Sequence, residues 1–224
     1  MSRRPGRPSR FWETVAVVII KPLSLLLVKH DWRRLDRIPR TGGVIVVANH
    51  LSWTDPVLLG HLLYASGRWP VVLAKSGVFA VPVLGKVIAA LRAIPVYRGS
   101  SEATRSLHDA EERLAEGASI LFYPEGTITR DPDLWPMAGK TGAARLALAT
   151  GTPVIPIAHW GAQELLPYGE KKPRLFPRKT FKAIVGEPVD LSGFEDRPTE
   201  ATAEIMRAVT LLLAELRGEK APDA

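Results

Sequence analysis

Apolar positions in the body of the chain gather into short runs that are bounded by turn-forming residues. These runs are rich in Val and Ile and do not alternate with polar residues, which is typical of strands buried on both faces of a sheet. Between them lie stretches with apolar residues at helical spacing. Strands that alternate with helices predict an α/β fold with a mostly parallel or mixed central sheet flanked by helices. The predicted strands are residues 44–48, 71–74, 93–97, 118–123 and 154–158, and the predicted helices are residues 56–64, 85–91, 102–116, 142–149 and 200–217.

The first thirty residues follow a different pattern. Two apolar stretches, residues 15–20 and 23–28, are separated by Lys21 and Pro22. Neither stretch reaches the roughly 20 apolar residues that a helix needs to cross a bilayer core, and Pro22 is expected to kink or break a helix. We therefore predict two short helical pieces that lie in the membrane interface, with neighbouring aromatic side chains at headgroup depth. A helix packed on the domain, a secretory signal peptide and a spanning helix are the alternatives.

Charge is concentrated in the same region. Residues 1–40 carry ten Lys and Arg against three acidic residues, whereas residues 41–224 carry twenty of each, so the whole net charge of +7 lies at the N-terminus. A basic segment beside an apolar one is typical of binding to anionic lipid, whereas a nucleic-acid binder usually spreads its basic surface over the folded domain. We expect residues 1–31 to associate peripherally or monotopically with the cytoplasmic face of a membrane, and we expect no nucleic-acid partner. Residues 32–218 are predicted to form one α/β domain, and residues 219–224 a frayed tail.

Missing residue types and missing spacings exclude several kinds of active or binding site. Its 224 residues include no Cys, which excludes a thiol nucleophile, an acyl-cysteine intermediate and a thiolate metal site. The four histidines other than His50 show no metal-ligand spacing, so we predict no metal. Residues 139–141 are Gly-Lys-Thr, but Leu134 stands where a nucleotide-binding loop requires its earlier Gly.

The strongest candidate chemistry follows the first predicted strand. His50 lies just past the carboxyl end of that strand, where open α/β sheets place their ligands. Asp55 is five residues further on, a spacing that brings the two side chains together only if a turn separates them. The carboxylate would then fix the imidazole tautomer and leave the other ring nitrogen to take a proton from a hydroxyl. Asp55 before Pro56 is also suited to capping a helix, and a His at a strand end is often structural, so both interpretations stay open.

A second candidate segment follows a later strand. Residues 123–127 are Tyr-Pro-Glu-Gly-Thr, in which Gly126 permits a tight turn. Glu125 at such an edge faces either a site or solvent. Taken alone, this segment is a weak signal.

Together the two segments resemble a known family. Asn-His-x-Ser-x-x-Asp beginning at Asn49, followed about 70 residues later by Phe-Tyr-Pro-Glu-Gly-Thr, is similar to the glycerolipid acyltransferases. These include the 1-acyl-sn-glycerol-3-phosphate (lysophosphatidic acid) acyltransferases. Two further blocks of that family stand in its order, Ala-Ile-Pro-Val-Tyr-Arg at residues 93–98 and Thr-Pro-Val-Ile-Pro-Ile at residues 152–157. The resemblance implies the glycerol-3-phosphate acyltransferase-like αβ fold.

The resemblance also implies an activity. A fatty acyl group would pass from a thioester, acyl-CoA or acyl-carrier protein, to the free hydroxyl of lysophosphatidic acid, with no other cofactor. His50 would be the general base and Asp55 its partner, and the hydroxyl would attack the thioester directly, without an acyl-enzyme. The acceptor-binding residues implied in this way are Arg98 for the phosphate and Glu125, Gly126 and Thr127 for the binding turn.

One position departs from the family pattern. The family commonly has Glu-Gly-Thr-Arg, whereas the fourth position here is Ile128. Ile128 cannot bind phosphate, which leaves three alternatives. Either Arg130 reaches the same place, or Arg98 carries more of the charge, or the acceptor is a different molecule. Lys75, after a predicted strand, and Lys140, at the start of a predicted helix, are weaker candidates for an anion site.

Two further segments are candidates for binding. Residues 71–96 are apolar and form either core elements or a pocket for the acyl chain. Residues 165–182 are predicted as a long loop or hairpin, and within them residues 170–182 carry six basic residues against one acid. That run is either a solvated loop or a site for anionic headgroups, CoA phosphates or an acidic carrier protein. The competing functions are the same reaction on glycerol 3-phosphate, a lysophospholipid or a glycolipid, a thioester or lipid hydrolase, and a non-catalytic membrane-binding module.

Overall fold

A seven-stranded sheet forms the centre of the protein in a computed structural model, which describes residues 7–97 and 102–222. The strands lie in the order β1-β7-β6-β2-β5-β3-β4, and all neighbours are parallel except β6 and β7, so the predicted mostly parallel, mixed sheet is confirmed. The strands are β1 (Val28–Arg33), β2 (Val44–Ala48), β3 (Pro70–Lys75), β4 (Ile94–Val96), β5 (Ser119–Phe122), β6 (Val154–Trp160) and β7 (Lys179–Val185).

Helices cover both faces of this sheet. A 3-10 turn at Leu35–Arg37 connects the first two strands. The predicted helices are all present, with ends within two residues of the expected positions. The helices are α1 (Arg10–Leu27), α2 (Asp55–Ala65), α3 (Ser76–Phe79), α4 (Leu84–Ala90), α5 (Glu102–Ala115), α6 (Gly142–Thr150), α7 (Ala162–Leu165) and α8 (Pro198–Arg217).

The central strand β2 shows why the apolar runs predicted the sheet so well. All five of its side chains are completely buried. Ile45 and Val47 belong to the core cluster shared with α5, α6 and α8, whereas Val44, Val46 and Ala48 belong to the cluster shared with α2. Since successive side chains of a strand point to opposite faces, a strand covered by helices on both faces must be apolar at every position.

Two strands that the sequence did not predict pair with each other. β1 and β7 are parallel, with Val28 opposite Lys179 and Arg33 opposite Ile184. Both contain charged residues, because β1 is the edge strand and several of its side chains are only partly buried. The expectation of a loop or hairpin through residue 182 is therefore wrong for residues 179–182. The predicted boundary between residues 31 and 32 falls inside β1.

The N-terminal segment is one helix. The prediction of two pieces separated at Pro22 is wrong, because α1 continues through this residue. Proline removes the hydrogen bond to the carbonyl four residues earlier, at Val18, and crowds that carbonyl, but Val18 and Pro22 both lie on the exposed side of the helix. Within residues 7–97 and 102–222, no helix is sufficiently long and apolar to cross a membrane.

Candidate active site

The predicted site residues that the structure describes gather at one edge of the sheet. β2, β3, β5 and β6 are mutually parallel, so their carboxyl ends meet at the same edge. His50 follows β2, the Tyr-Pro-Glu-Gly-Thr turn follows β5, and His159 lies near the carboxyl end of β6. Open α/β sheets bind ligands at this edge.

His50 and Asp55 are in direct contact. His50 Nδ1 donates to Asp55 Oδ2 at 2.8 Å. The same oxygen accepts the backbone N–H groups of Leu51 at 2.6 Å and Ser52 at 2.9 Å, and the Asp55 side chain is completely buried. The residues between His50 and Asp55 form the turn that the spacing required.

These contacts decide between the two interpretations of Asp55. The carboxylate accepts N–H groups that precede α2, and Thr54 is the N-cap residue of that helix, so the capping interpretation is wrong. Because Nδ1 of His50 carries the shared proton, Nε2 is the ring nitrogen that can accept one. The His50 side chain is 12% exposed, whereas that of Asp55 is completely buried.

Tyr123 supports the imidazole from its face. The two rings are stacked with their centroids 4.3 Å apart and their planes at 24°. Burial, and then the nearby Asp55 carboxylate, raise the pKa of Tyr123 well above its usual value, so the phenol stays neutral. In the sequence, Tyr123 is the end of a predicted strand and the first residue of the Tyr-Pro-Glu-Gly-Thr segment, and nothing in that pattern indicates that its ring stacks on His50.

Glu125 holds the loop that carries His50. Its Oε1 accepts the backbone N–H of His50 at 3.0 Å, and its Oε2 accepts that of Met137 at 3.0 Å. Thr129 N–H donates to the carbonyl of His50 at 2.8 Å, so the turn after β5 grips the His50 peptide at both ends. Burial raises the pKa of Glu125 to about 7, although these hydrogen bonds act in the opposite direction. The carboxylate faces the site loop, and not solvent.

The rest of the turn after β5 is tight. Gly126 has φ +68°, a conformation that a side chain disfavours, and its N–H donates to the Tyr123 carbonyl at 2.9 Å. Thr127 follows it and is half-buried, whereas Ile128 is 2% exposed and belongs to the interior. Burial of Ile128 agrees with its inability to bind phosphate.

The cationic candidates lie around the same edge. Arg130 is exposed and directly follows Thr129, the residue bonded to His50. Lys75 is exposed at the end of β3 and lines a cleft of about 450 Å³. Lys140 is also exposed, and its backbone N–H donates to the carbonyl of Pro124 at 2.8 Å. Arg98 lies outside the described residues, so its predicted role stays a prediction.

One residue of the site escaped sequence analysis. His159 had been considered only as a metal ligand, yet its Nε2 lies 3.5 Å from Asp55 Oδ2 and 2.7 Å from the carbonyl oxygen of Asn49. The available signal was its position at the end of a buried strand. In the described part of the chain, no cluster of three His, Asp or Glu residues could hold a metal ion.

The hydroxyl nearest to the dyad in sequence is already engaged. Ser52 is completely buried, its Oγ donates to the carbonyl of Leu166 at 2.8 Å, and it lies 3.0 Å from the Thr54 hydroxyl. A buried hydroxyl bonded to a carbonyl is poorly placed to serve as a nucleophile.

Comparisons with known proteins show which proteins the chain is similar to. The sequence model of the acyltransferase family matches residues 29–160. The chain is 28% identical over 186 residues to the chloroplastic 1-acyl-sn-glycerol-3-phosphate acyltransferase BAT2 of Brassica napus. The matched stretch covers 82% of this chain and 52% of that protein. It is 35% identical over 112 residues to the lyso-ornithine lipid O-acyltransferase of Pseudomonas aeruginosa, over 50% of the chain and 41% of that protein.

A solved structure shows the same fold. The crystal structure of the 1-acyl-sn-glycerophosphate (LPA) acyltransferase PlsC from Thermotoga maritima superposes with a TM-score of 0.68 over 95% of this chain and 86% of that one, at 23% identity. The chain spans about half the length of the first curated relatives that it matches.

Proposed function

The chain belongs to the acyltransferase family, and we propose that it transfers a fatty acyl group from a thioester donor to the free hydroxyl of lysophosphatidic acid, giving phosphatidic acid. The observation that carries this proposal is the contact between His50 Nδ1 and the buried carboxylate of Asp55. That contact leaves Nε2 available at the carboxyl edge of the sheet. The names of the curated relatives support the reaction class.

The geometry supports a general-base mechanism. Nε2 of His50 takes the proton of the acceptor hydroxyl as the oxygen attacks the thioester carbonyl carbon, and Asp55 stabilises the imidazolium that forms. The tetrahedral intermediate then expels the donor thiolate, which takes the proton back from Nε2. A new ester bond replaces the thioester bond, and the enzyme returns to its starting state. A positioned base of this kind contributes about 10²- to 10⁴-fold in rate.

The acceptor would be held by cations at the same edge. We propose that Arg130, with Lys75 and Lys140, attracts the acceptor phosphate, alongside Arg98. Glu125 would act by fixing the His50 peptide, while Gly126 and Thr127 would line the acceptor turn. The buried Ile128, where the family commonly has Arg, favours a second candidate acceptor such as glycerol 3-phosphate, another lysophospholipid or a glycolipid.

The donor would place its acyl chain in the cleft next to Lys75. This cleft of about 450 Å³ is lined by Val78, Val81 and Val96, together with Lys75, Ser76 and Gly77. Burial of an alkyl chain is favourable by about 0.8 kcal/mol per methylene. Both acyl-CoA and acyl-carrier protein fit this proposal as donors.

The N-terminal helix would rest on the membrane. α1 exposes apolar side chains along its length, among them Phe11, which is 68% exposed, and Leu26, which is 73% exposed. Arg178 of the basic run donates to the carbonyls of Leu25 and Val28, so the run is joined to the end of α1. Phe176 beside it is 88% exposed. An apolar face adjoining basic residues suits an anionic bilayer, and we propose peripheral or monotopic attachment at the cytoplasmic face.

Vesicle binding tests this attachment. Co-sedimentation with phosphatidylglycerol vesicles is expected to exceed co-sedimentation with phosphatidylcholine vesicles, and Leu26→Asp is expected to weaken both. Equal binding of the variant and the wild type would remove α1 from the proposal.

An acceptor assay tests the reaction. Purified protein in mixed micelles with labelled palmitoyl-CoA is offered lysophosphatidic acid, glycerol 3-phosphate or lysophosphatidylcholine, beside His50→Ala and the control His108→Ala. His108 is 67% exposed on α5, so its replacement should not change turnover. Labelled phosphatidic acid that forms only with lysophosphatidic acid, and falls at least about 10²-fold in His50→Ala, is the expected result.

The other outcomes separate the alternatives. Turnover on a different acceptor retains the mechanism and changes the substrate. Consumption of palmitoyl-CoA without any acceptor indicates a hydrolase. If His50→Ala retains wild-type turnover, the proposed general base is wrong.

A further inference from the structure

A second imidazole lies beside the dyad and approaches the same Asp55 oxygen that His50 contacts. His159 is completely buried, and its Nε2 is 2.7 Å from the carbonyl oxygen of Asn49 and 3.5 Å from Asp55 Oδ2. Both neighbours are hydrogen-bond acceptors, so Nε2 must carry the proton and Nδ1 must not. The tautomer of His159 is therefore set by its surroundings.

The same residue is tied to the segment that carries His50. Asn49 Nδ2 donates to the backbone carbonyl of His159 at 3.0 Å, and His159 N–H donates to Asn49 Oδ1 at 2.9 Å. The ladder between β2 and β6 ends where Ala48 faces Ile157, so the Asn49 side chain continues the pairing where the strand leaves the sheet. Three hydrogen bonds thus fix the residue immediately before His50.

His159 is suited to hold a carboxylate and not to transfer protons to substrate. Burial lowers the pKa of His159, and its Nδ1 has no hydrogen-bond partner among the described residues, so the ring is neutral at neutral pH. A neutral N–H stabilises a neighbouring carboxylate without adding a charge that would compete with His50 for it. With no exposed surface, His159 cannot contact an acceptor hydroxyl.

We propose that His159 is a positioning residue of the dyad: its Nε2–H is held by the Asn49 carbonyl, lies 3.5 Å from Asp55 Oδ2 and so keeps the carboxylate aligned with His50 Nδ1. The inference deepens the proposed function and rests on it for its kinetic test. The alternative role is packing alone, because the His159 ring also lies against Phe181, with the centroids 5.4 Å apart.

Kinetics of two substitutions distinguish positioning from packing. His159→Phe fills the space but removes the N–H, whereas the amide of His159→Gln can restore a donor near the position of Nε2. We expect kcat to fall about 10- to 100-fold in His159→Phe with KM within about twofold, and to recover to within about fivefold of wild type in His159→Gln. Wild-type kcat in a folded His159→Phe protein, or no recovery with Gln, would assign His159 to packing.

A double substitution tests whether the effect passes through Asp55. In an Asp55→Asn background, His159→Phe is expected to cause less than a threefold further loss, because the carboxylate to be aligned is already gone. If the two losses multiply in full, His159 acts independently of Asp55 and the proposal is wrong. Thermal unfolding of every variant shows whether a loss of turnover reflects a loss of fold.

Nitrogen-15 NMR of the histidine side chains gives a readout that needs no turnover. His50 is expected to be a single Nδ1–H tautomer in wild type and His159→Gln, and a tautomer mixture in His159→Phe. If His159→Phe does not fold, the wild-type Nε2–H resonance of His159 decides, since it should shift on Asp55→Asn, and an unchanged resonance would contradict the contact. Failure of wild type to use any acceptor would refute the proposed reaction while leaving this NMR result to judge the positioning.

Discussion

Two places in the molecule bring a pair of imidazoles to one oxygen-bearing side chain, and only one of them has the chemistry of a site. The first place is the dyad, where His50 and His159 converge on the Asp55 carboxylate. At the second, the Ser24 cluster, His30 Nε2 and His61 Nδ1 each lie 3.0 Å from the Ser24 hydroxyl. Both are assembled from three separate elements of the fold.

The Ser24 cluster fastens α1 to the body of the protein. Ser24 is completely buried on α1, and its two partners lie on β1 and α2. The Trp32 ring contacts both imidazoles edge to face, and its centroid lies 4.6 Å from that of His30 and 5.1 Å from that of His61. A hydroxyl has one hydrogen, so it donates to one imidazole and accepts from the other.

The Ser24 cluster and the dyad differ in the charge that surrounds their imidazoles. Burial first, and then His61 and Arg178, lower the pKa of His30 to about 4, and burial lowers the pKa of His61, with Lys21 adding to the effect. The cluster therefore favours neutral imidazoles, whereas the Asp55 carboxylate can stabilise an imidazolium at His50. The comparison teaches that convergence of histidines makes a structural contact unless a negative charge is placed between them.

The largest expected effect comes from removing that negative charge. Asp55→Asn should lower kcat about 10²-fold or more, because the amide can no longer stabilise the imidazolium of His50. The matched change, Ser24→Ala, should leave kcat of the folded protein within about twofold and lower the free energy of unfolding by about 1–3 kcal/mol. Turnover assays and denaturant unfolding measure the two quantities. An equal loss of kcat in both variants would break the comparison.

The free energy of unfolding is expected to depend on pH through Glu125, which holds the loop that carries His50. The pKa of Glu125 is raised to about 7 from 4.5, so the folded protein binds this proton more tightly than the unfolded chain does. Its contribution is fully present below about pH 4.5 and is lost as pH rises to about 7, which amounts to about 3 kcal/mol. In Glu125→Gln this part of the pH dependence should disappear from urea unfolding measured between pH 4.5 and 7.5. A wild-type profile in the variant would show that another group titrates.

The Ser24 cluster should show the opposite dependence on pH. The pKa of His30 is lowered from 6.5 to about 4, so stability is full above about pH 6.5 and is lost as pH falls toward 4. Because His30 is only half-buried, solvent screens its charge, and the loss is smaller than it would be for a fully buried histidine. It should appear as earlier proteolytic cleavage at α1 at pH 5 than at pH 7, with His30→Gln reducing the difference. Cleavage independent of pH would mean that the cluster does not hold α1.

Much of the fold could be predicted because its signals are local. The apolar run of β2 predicted its bounds correctly, since burial on both faces requires an apolar residue at each position. β1 and β7 escaped prediction because their mixed composition is compatible with strand only when the two pair at the sheet edge. The prediction of a break at Pro22 was wrong, because α1 continues through this proline on its exposed side.

The candidate site also has features that the sequence predicts and features that only the fold reveals. His50, Asp55 and the turn after β5 were identifiable because short motifs carry them, and the five-residue spacing already required a turn. Glu125 was identified, but its bonds to the backbone of His50 and Met137 depend on how two strands lie side by side.

By itself, then, the sequence determined the alternation of strands and helices, the location of the candidate chemistry at strand ends, and the motifs that contain His50 and Asp55. Only the tertiary structure decided which imidazoles face a carboxylate and which face a hydroxyl. Asn49 and His159 are 110 residues apart in the chain, and they meet because β2 and β6 are neighbours in the sheet. Strand order is set by packing of the whole core, so no local pattern contains it.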